Sequence, residues 1–233
     1  MLRVKIAGIP FGINNRYSYL ERMMRDYLTC DEPLFVLEAT DAEIEAERLL
    51  CGGFPAEYLE STVIHRQLAE RLPEYDALVF HGAVIAVDGS AYAFTAPSGT
   101  GKTTHTRLWI ERMGGRATYL NGDKPIIRLD GDIAYAHGTP WKGKEGYGEN
   151  LSLPLRAIVR LGRGEQNVAV AVPADDISET LVSQIYLPRG RAGVIRTLSL
   201  IDRLLGAVTA VDLHCNMNSD AVDAAAAALG VSL

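Results

Sequence analysis

The segment Ala96-Pro97-Ser98-Gly99-Thr100-Gly101-Lys102-Thr103-Thr104 constrains this chain more than any other. It meets the pattern G-x-x-x-x-G-K-[S/T] at every specified position except the first, where Ala96 replaces glycine. Ahead of it, Ser90 to Thr95 reads as a strand with Tyr92 and Phe94 as β-forming aromatics. Behind it, His105 to Met113 has helical composition and stops at Gly114-Gly115. Strand, glycine loop and helix thus occur in the order that wraps an anion, with backbone N–H groups converging at the positive end of a helix. Gly99 and Gly101 carry the steric demand, because a residue without Cβ lets the main chain come close to phosphate oxygens. Lys102 would bring an ammonium to the β- and γ-phosphates, and Thr103 a hydroxyl to a magnesium ion bridging them. The same residues also read as a glycine turn before an ordinary helix; the strand-to-helix context favours the phosphate reading.

Around this segment the pattern is regular. Leu78 to Val87 and Ser90 to Thr95 are β-rich runs joined by Asp88-Gly89, a strong hairpin signal because both turn residues tolerate positive φ. Nearer the N-terminus, Arg3 to Ile9 and Leu34 to Ala39 read as strands and Thr40 to Leu50 as a helix. Thr40 and Glu43 have the capping-box spacing. A second helix over Thr62 to Leu72 is broken by Pro73. Downstream, strands are expected at Arg116 to Leu120, Pro125 to Leu129 and Ile133 to Ala136, with turns at Asn121-Gly122-Asp123 and Asp130-Gly131. After a glycine-rich loop, Gly138 to Asn150, a strand pair is expected at Leu155 to Leu161 and Val168 to Val172. Helices follow at Asp175 to Tyr186 and Val194 to Leu205, then a strand Val208 to Leu213 and an Ala-rich helix from Ser219. These patterns predict an α/β fold with a mixed, largely antiparallel sheet and flanking helices. The change of character at Asp76 suggests an N-terminal annex, residues 1–75, packed on a core of residues 76–233 as one folding unit.

Composition excludes several classes. With 48% apolar and 22% charged residues in 233, the chain has globular proportions and can bury a core. Its net charge of −6 and the lack of any Lys/Arg block speak against nucleic acid as a partner. The longest apolar stretches, Ala83 to Val87 and Ala221 to Leu229, are too short for a membrane span of about 20 residues. The N-terminus alternates charged and apolar residues without an apolar signal region, so the expected location is cytoplasmic. Cys30, Cys51 and Cys215 are odd in number with no C-x-x-C spacing, and each reads as a reduced thiol.

Ser98 to Thr104, preceded by the His81-Gly82 hairpin and followed by Leu120-Asn121-Gly122-Asp123, resembles the HPr kinase/phosphorylase and phosphoenolpyruvate carboxykinase superfamily. The likeness is to its short HPr-kinase-like members, through Asn-Gly-Asp-Lys-Pro at Asn121 to Pro125 and Gly-Thr-Pro-Trp at Gly138 to Trp141. It covers Asp76 to Leu161 well and the flanks loosely. The resemblance implies a P-loop core of that type, with Ser98, Gly99, Thr100, Gly101, Lys102, Thr103 and Thr104 binding ATP. It further implies that Thr103 and Asp123 hold Mg2+, and that Lys102, Asp123 and His81 are catalytic, with His81 near the transferred phosphate. Asp123 alone reads equally as turn chemistry, and His81 as a buried, hydrogen-bonded histidine. One departure stands out: the resemblance calls for two adjacent acids at this turn, and the second position here is Lys124. Asp123 would then have to choose between holding metal and accepting a proton.

The expected activity is that of an ATP- and Mg-dependent kinase passing the γ-phosphoryl group to a hydroxyl, a serine of a protein or peptide or a small alcohol. Relatives of such a core often assemble, so a homo-oligomer is allowed. Two rivals remain. A phosphoenolpyruvate carboxykinase-like enzyme would need a second metal cluster and a carboxylate-binding arginine, which the residues do not assemble. A non-catalytic nucleotide-binding sensor is favoured by Lys124. The loop from Gly138 to Asn150, with Lys142, Lys144, Glu145 and Glu149, reads either as a lid or as a solvated connector in which Trp141 is a packing anchor. Arg189 and Arg191 read as a surface turn or as guanidinium donors to transferring phosphate.

Overall fold

The computed structural model describes residues 1–233. Residues Leu2–Ile6 (β1) and Ile9–Ile13 (β2) pair antiparallel through Ala7 and Gly8, which adopt φ of 53° and 75°. The single strand expected over Arg3 to Ile9 is therefore a hairpin, whose left-handed turn matches the twist of its strands. A short helix α1 (Ser18–Met23) and a 3-10 turn (Arg25–Tyr27) follow, and β3 (Val36–Leu37) adds parallel to β2. Helix α2 (Asp41–Cys51) opens at the expected capping box. Thr40 Oγ1 accepts from the Glu43 N–H at 3.2 Å, and the Glu43 carboxylate accepts from the Thr40 N–H at 2.9 Å. Helix α3 (Ala56–Arg71) begins at Ala56 rather than Thr62 and gives way to a 3-10 turn containing Pro73. Val4, Ile6, Phe11, Leu59, Ile64 and Leu68 lead one buried cluster, which Ala77, Val79 and Ile126 join from the following elements.

The apolar run from Leu78 to Val87 is two strands, β4 (Ala77–Val79) and β5 (Ala83–Val87). The break falls where there is no space for a side chain: a Cβ on Gly82 would stand 2.4 Å from the Phe80 ring and 2.8 Å from the Phe94 carbonyl oxygen. Strand β5 pairs with β6 (Ser90–Thr95) through Asp88 and Gly89 at φ 47° and 78°, as expected. Next come α4 (Lys102–Met113), β7 (Ala117–Asn121), β8 (Ile126–Asp130), β9 (Ile133–His137) and the long β10 (Ser152–Arg163). The chain ends with β11 (Val168–Val172), α5 (Ser178–Ser183), α6 (Arg191–Ala207), β12 (Thr209–Cys215) and α7 (Asp220–Leu229).

Nine strands form one mixed sheet in the order β4-β8-β9-β10-β6-β5-β7, with β12 paired to β10 and β11 to β12. Strand β10 lies antiparallel to β9 at Ser152 to Pro154 and parallel to β6 and β12 beyond. The expected pairing of Leu155–Leu161 with Val168–Val172 is not formed, because β12 lies between them. The helix expected over Asp175 to Tyr186 shrinks to α5 behind a 3-10 turn. Alternate strand residues feed opposite faces. Ile85, Phe94, Val159 and Val211 pack with Trp109 of α4 and Ala225 of α7, whereas Val84, Ala93, Ile158 and Ala210 pack with Leu200 and Leu204 of α6. The fold is thus mixed α/β with helices on both faces of a sheet. No helix is long and apolar enough to cross a membrane, and the three cysteines are unbonded to one another.

Candidate functional site

Strand β6 ends at Thr95, buried on both faces, and the chain passes through Ala96 to Gly101 into α4. Gly99 and Gly101 adopt φ of 78° and 122°, which L side chains rarely reach, and thus make the turn into the helix. Gly101 caps α4 with no side-chain acceptor, so the first N–H groups of the helix are open to an outside one. Lys102 Nζ lies across the loop and donates to the Ala96 carbonyl at 2.8 Å. Partial burial holds its pKa below the ordinary lysine value, with the Asp123 charge opposing that shift. From the end of β10, Arg163 Nη2 donates to the Gly99 carbonyl at 2.6 Å. This occupies a loop oxygen that would otherwise repel an anion.

The facing wall is the turn after β7. Asn121 is fully buried, and its Nδ2 donates to Thr139 O at 3.1 Å and Thr139 Oγ1 at 3.0 Å. Its Oδ1 accepts from the N–H groups of Asp123 at 2.9 Å and Lys124 at 2.8 Å. The amide therefore fixes the turn that presents Asp123. His81, in the link between β4 and β5, places Nε2 3.4 Å from Asp123 Oδ1, and Lys124 Nζ lies 3.6 Å from the same oxygen. Burial lowers the His81 pKa most, Lys124 and Lys102 lower it further, and Asp123 opposes them, so the imidazole is neutral at pH 7.

The third wall is the loop between β9 and β10. The Gly122 N–H donates to Tyr147 O at 2.9 Å, the Glu149 N–H to Leu120 O at 3.2 Å, and Thr118 Oγ1 to Glu149 Oε1 at 2.8 Å. The rings of Tyr119 and Tyr147 stack with centroids 4.5 Å apart. A Cβ on Gly143 would sit 2.9 Å from that of Asp123. The segment is therefore docked along β7 at Tyr147 and Glu149, with residues 143–146 exposed. Trp141 is a packing anchor: its Nε1 donates to Ser61 O at 3.2 Å and its ring lies 4.6 Å from that of His65.

Ser98, Gly99, Gly101, Lys102, Thr103, Thr104 and Asp123 line one cleft of about 480 Å³, closed by Lys142 to Glu145 and Tyr147. Thr100 lines an adjoining cleft of about 470 Å³ with Leu108, Leu161, Arg163 and Met217. His81 reaches the first cleft through Asp123. Arg189 stands elsewhere, its N–H donating to the Glu70 carboxylate, and Arg191 begins α6 as an exposed residue. Arg163 was not legible in the sequence, because only the long-range pairing of β10 with β6 brings it to the loop. No three His, Cys, Asp or Glu side chains gather to hold a metal. A magnesium ion in this cleft would meet Thr103 and Asp123 plus phosphate oxygens, the small protein share that magnesium favours.

No family model matches the chain, and no curated protein matches it. Among solved structures, the HPr(Ser) kinase/phosphatase from Coxiella burnetii matches with 12% identity over 54% of this chain and 90% of that chain. The TM-score is 0.31, a distant structural likeness that carries no argument about chemistry.

Proposed function

We propose that the chain is an ATP- and Mg-dependent P-loop phosphotransferase that moves the γ-phosphoryl group to a hydroxyl, either a serine of a protein or peptide or a small alcohol. The observation that carries this reading is the convergence of Lys102, Thr103 and Asp123 on one cleft beside two glycines at positive φ. The open N–H groups at the start of α4 and the Lys102 ammonium bind the phosphate tail, and the apolar side chains of Leu108, Leu161 and Met217 receive the nucleoside. A bound magnesium ion would supply charge neutralisation to the phosphate tail. Thr103 and Asp123 are the residues that would hold it.

His81 offers a way around the conflict created by Lys124: with Nε2 facing Asp123 at 3.4 Å, its other ring nitrogen would take the proton of the attacking hydroxyl, and Asp123 would be left for the metal. The hydroxyl oxygen bonds to the γ-phosphorus, the bond to the β-γ bridging oxygen breaks, and ADP leaves with that electron pair. Release of γ-phosphate from ATP should fall about 100-fold or more in Lys102→Ala and in Asp123→Asn. Unchanged turnover in both variants ends the reading. The rival, a nucleotide sensor without turnover, is favoured by Lys124 Nζ at 3.6 Å from Asp123 Oδ1. Calorimetry showing tight ATP binding, with no phosphate release, would select it.

A further inference from the structure

Strand β11 (Val168–Val172) pairs with β12 alone, so its outer side is an edge of the nine-stranded sheet. The other two ends of the sheet are covered. Beside β4 the Val79 carbonyl accepts from the Tyr186 N–H at 3.2 Å, and beside β7 the Leu120 carbonyl accepts from the Glu149 N–H. Along β11 no hydrogen bond from outside the β12 ladder reaches residues 168–172. Such an edge offers unpaired N–H and C=O groups to another strand, and proteins ordinarily blunt it with a lysine, a proline or a bulge. Val168-Ala169-Val170-Ala171-Val172 contains no lysine and no proline, and its register against β12 is unbroken. Val168 and Val170 are 49% and 50% exposed.

The sequence of this edge says what fits it. Its five residues read the same in both directions. A second copy laid antiparallel about a two-fold axis at Val170 places Val168 opposite the copy's Val172, Val170 opposite Val170, and Ala169 opposite Ala171. Valine then meets valine on one face and alanine meets alanine on the other, the cross-strand pairing that stabilises a sheet. Each copy carries a net charge of −6, but this strand carries none, so the two copies meet there without opposing carboxylates. The nearest like charges, Glu165 and Asp175, stand outside the ladder: the Gly164 N–H turns back to the Cys215 carbonyl, and Pro173 opens a 3-10 turn. Helix α7 packs over β11, with Ala169 against its buried face. Asp223 ties one flank of α7 to Arg112 of α4, with Arg112 Nε 3.2 Å from Asp223 Oδ1. The flank away from α4 carries Ala224 and Ala228, small side chains that let two copies of the helix approach across the axis.

We propose that two copies of the chain pair antiparallel through β11 about a two-fold axis at Val170, so that one sheet runs through the dimer. This interface is independent of the phosphotransferase reading. Analytical ultracentrifugation of the full chain should show a monomer–dimer equilibrium with a Kd on the order of 10 µM. Hydrogen exchange should slow at Val168–Val172 when the protein is concentrated and recover on dilution. Val170→Lys sets two ammonium groups against each other on the axis and should weaken the dimer about 100-fold or more, whereas Val170→Thr, which keeps a β-branched side chain, should hold it within about tenfold. Both sites are half-exposed, so the dilute variant should melt within about 2 °C of dilute wild type. Should Val170→Lys not fold, Val168→Lys, opposite the copy's Val172, makes the same test. The proposal is overturned if the chain is a monomer at about 200 µM, which would leave the edge to a different strand. It is equally overturned if the dimer persists in the lysine variants, or if concentration protects amides elsewhere and not in β11.

Discussion

Arg163 Nη2 lies 2.6 Å from the carbonyl oxygen of Gly99, and its Nε 3.4 Å from that of Thr100. The last residue of β10 thereby steadies the loop that leads into α4, from a strand that runs parallel to β6. Arg163→Met keeps most of the stem and removes both donors. ATP affinity, measured by calorimetry, should fall about 5- to 10-fold, the worth of roughly one hydrogen bond of 1–1.4 kcal/mol. Equal affinity would mean that the glycines hold the loop without help.

Asn121 joins two chain segments through one buried amide, donating to Thr139 and accepting from Asp123 and Lys124. Asn121→Ala leaves two backbone donors without an acceptor, and denaturant unfolding should show a loss of about 2–3 kcal/mol. Because the same bonds aim Asp123, phosphotransfer should decline further than stability alone predicts at a temperature where the variant is folded.

The neck of the docked loop has no spare space. A Cβ on Gly138 would stand 1.8 Å from the Glu149 carbonyl oxygen, whereas one on Gly115 meets nothing within 4 Å. Gly138→Ala should cost about 2–3 kcal/mol, as overpacking does, and Gly115→Ala should stay within about 0.5 kcal/mol of wild type. Parallel thermal melts of the two variants check this; similar values would refute the close approach.

Acid should weaken the fold through buried histidines. Burial pulls His105 from its ordinary 6.5 down to about 4, and its Nε2 accepts a 3.0 Å hydrogen bond from Trp109 Nε1. The folded state thus binds fewer protons than the unfolded one. The contribution of His105 is whole above pH 6.5 and is lost as the pH falls toward 4, amounting to about 2 kcal/mol between pH 6.5 and 5. Urea unfolding across that range should show a steeper slope than this, because burial lowers His65 and His137 as well, and His105→Gln should reduce it by the His105 share.

Local chemistry was legible where neighbours in sequence are neighbours in space. The Thr40–Glu43 capping box, the Asp88-Gly89 hairpin, the run from glycine loop into helix and the stop at Gly114 all depend on contacts within a few residues. The misreadings have a common physical cause. Leu78 to Val87 is apolar throughout because both strands are buried, so nothing in hydrophobicity marks the break that Phe80 imposes on Gly82. The β10–β11 pairing failed because β12, far along the chain, takes the place between them. Lys102, Thr103 and Asp123, which line one cleft, were named from motif and turn. Arg163 was not, since only the long-range order of the sheet brings it to the loop.

Strand β10 hydrogen-bonds to β9 at one end and to both β6 and β12 over the rest of its length. Two of those three ladders join it to distant stretches of chain, so their entropy of closure falls due before the ladder rewards it. The order of assembly follows: hairpins and helices gather early, and the glycine loop acquires its arginine brace only when this central staple seats, late in folding.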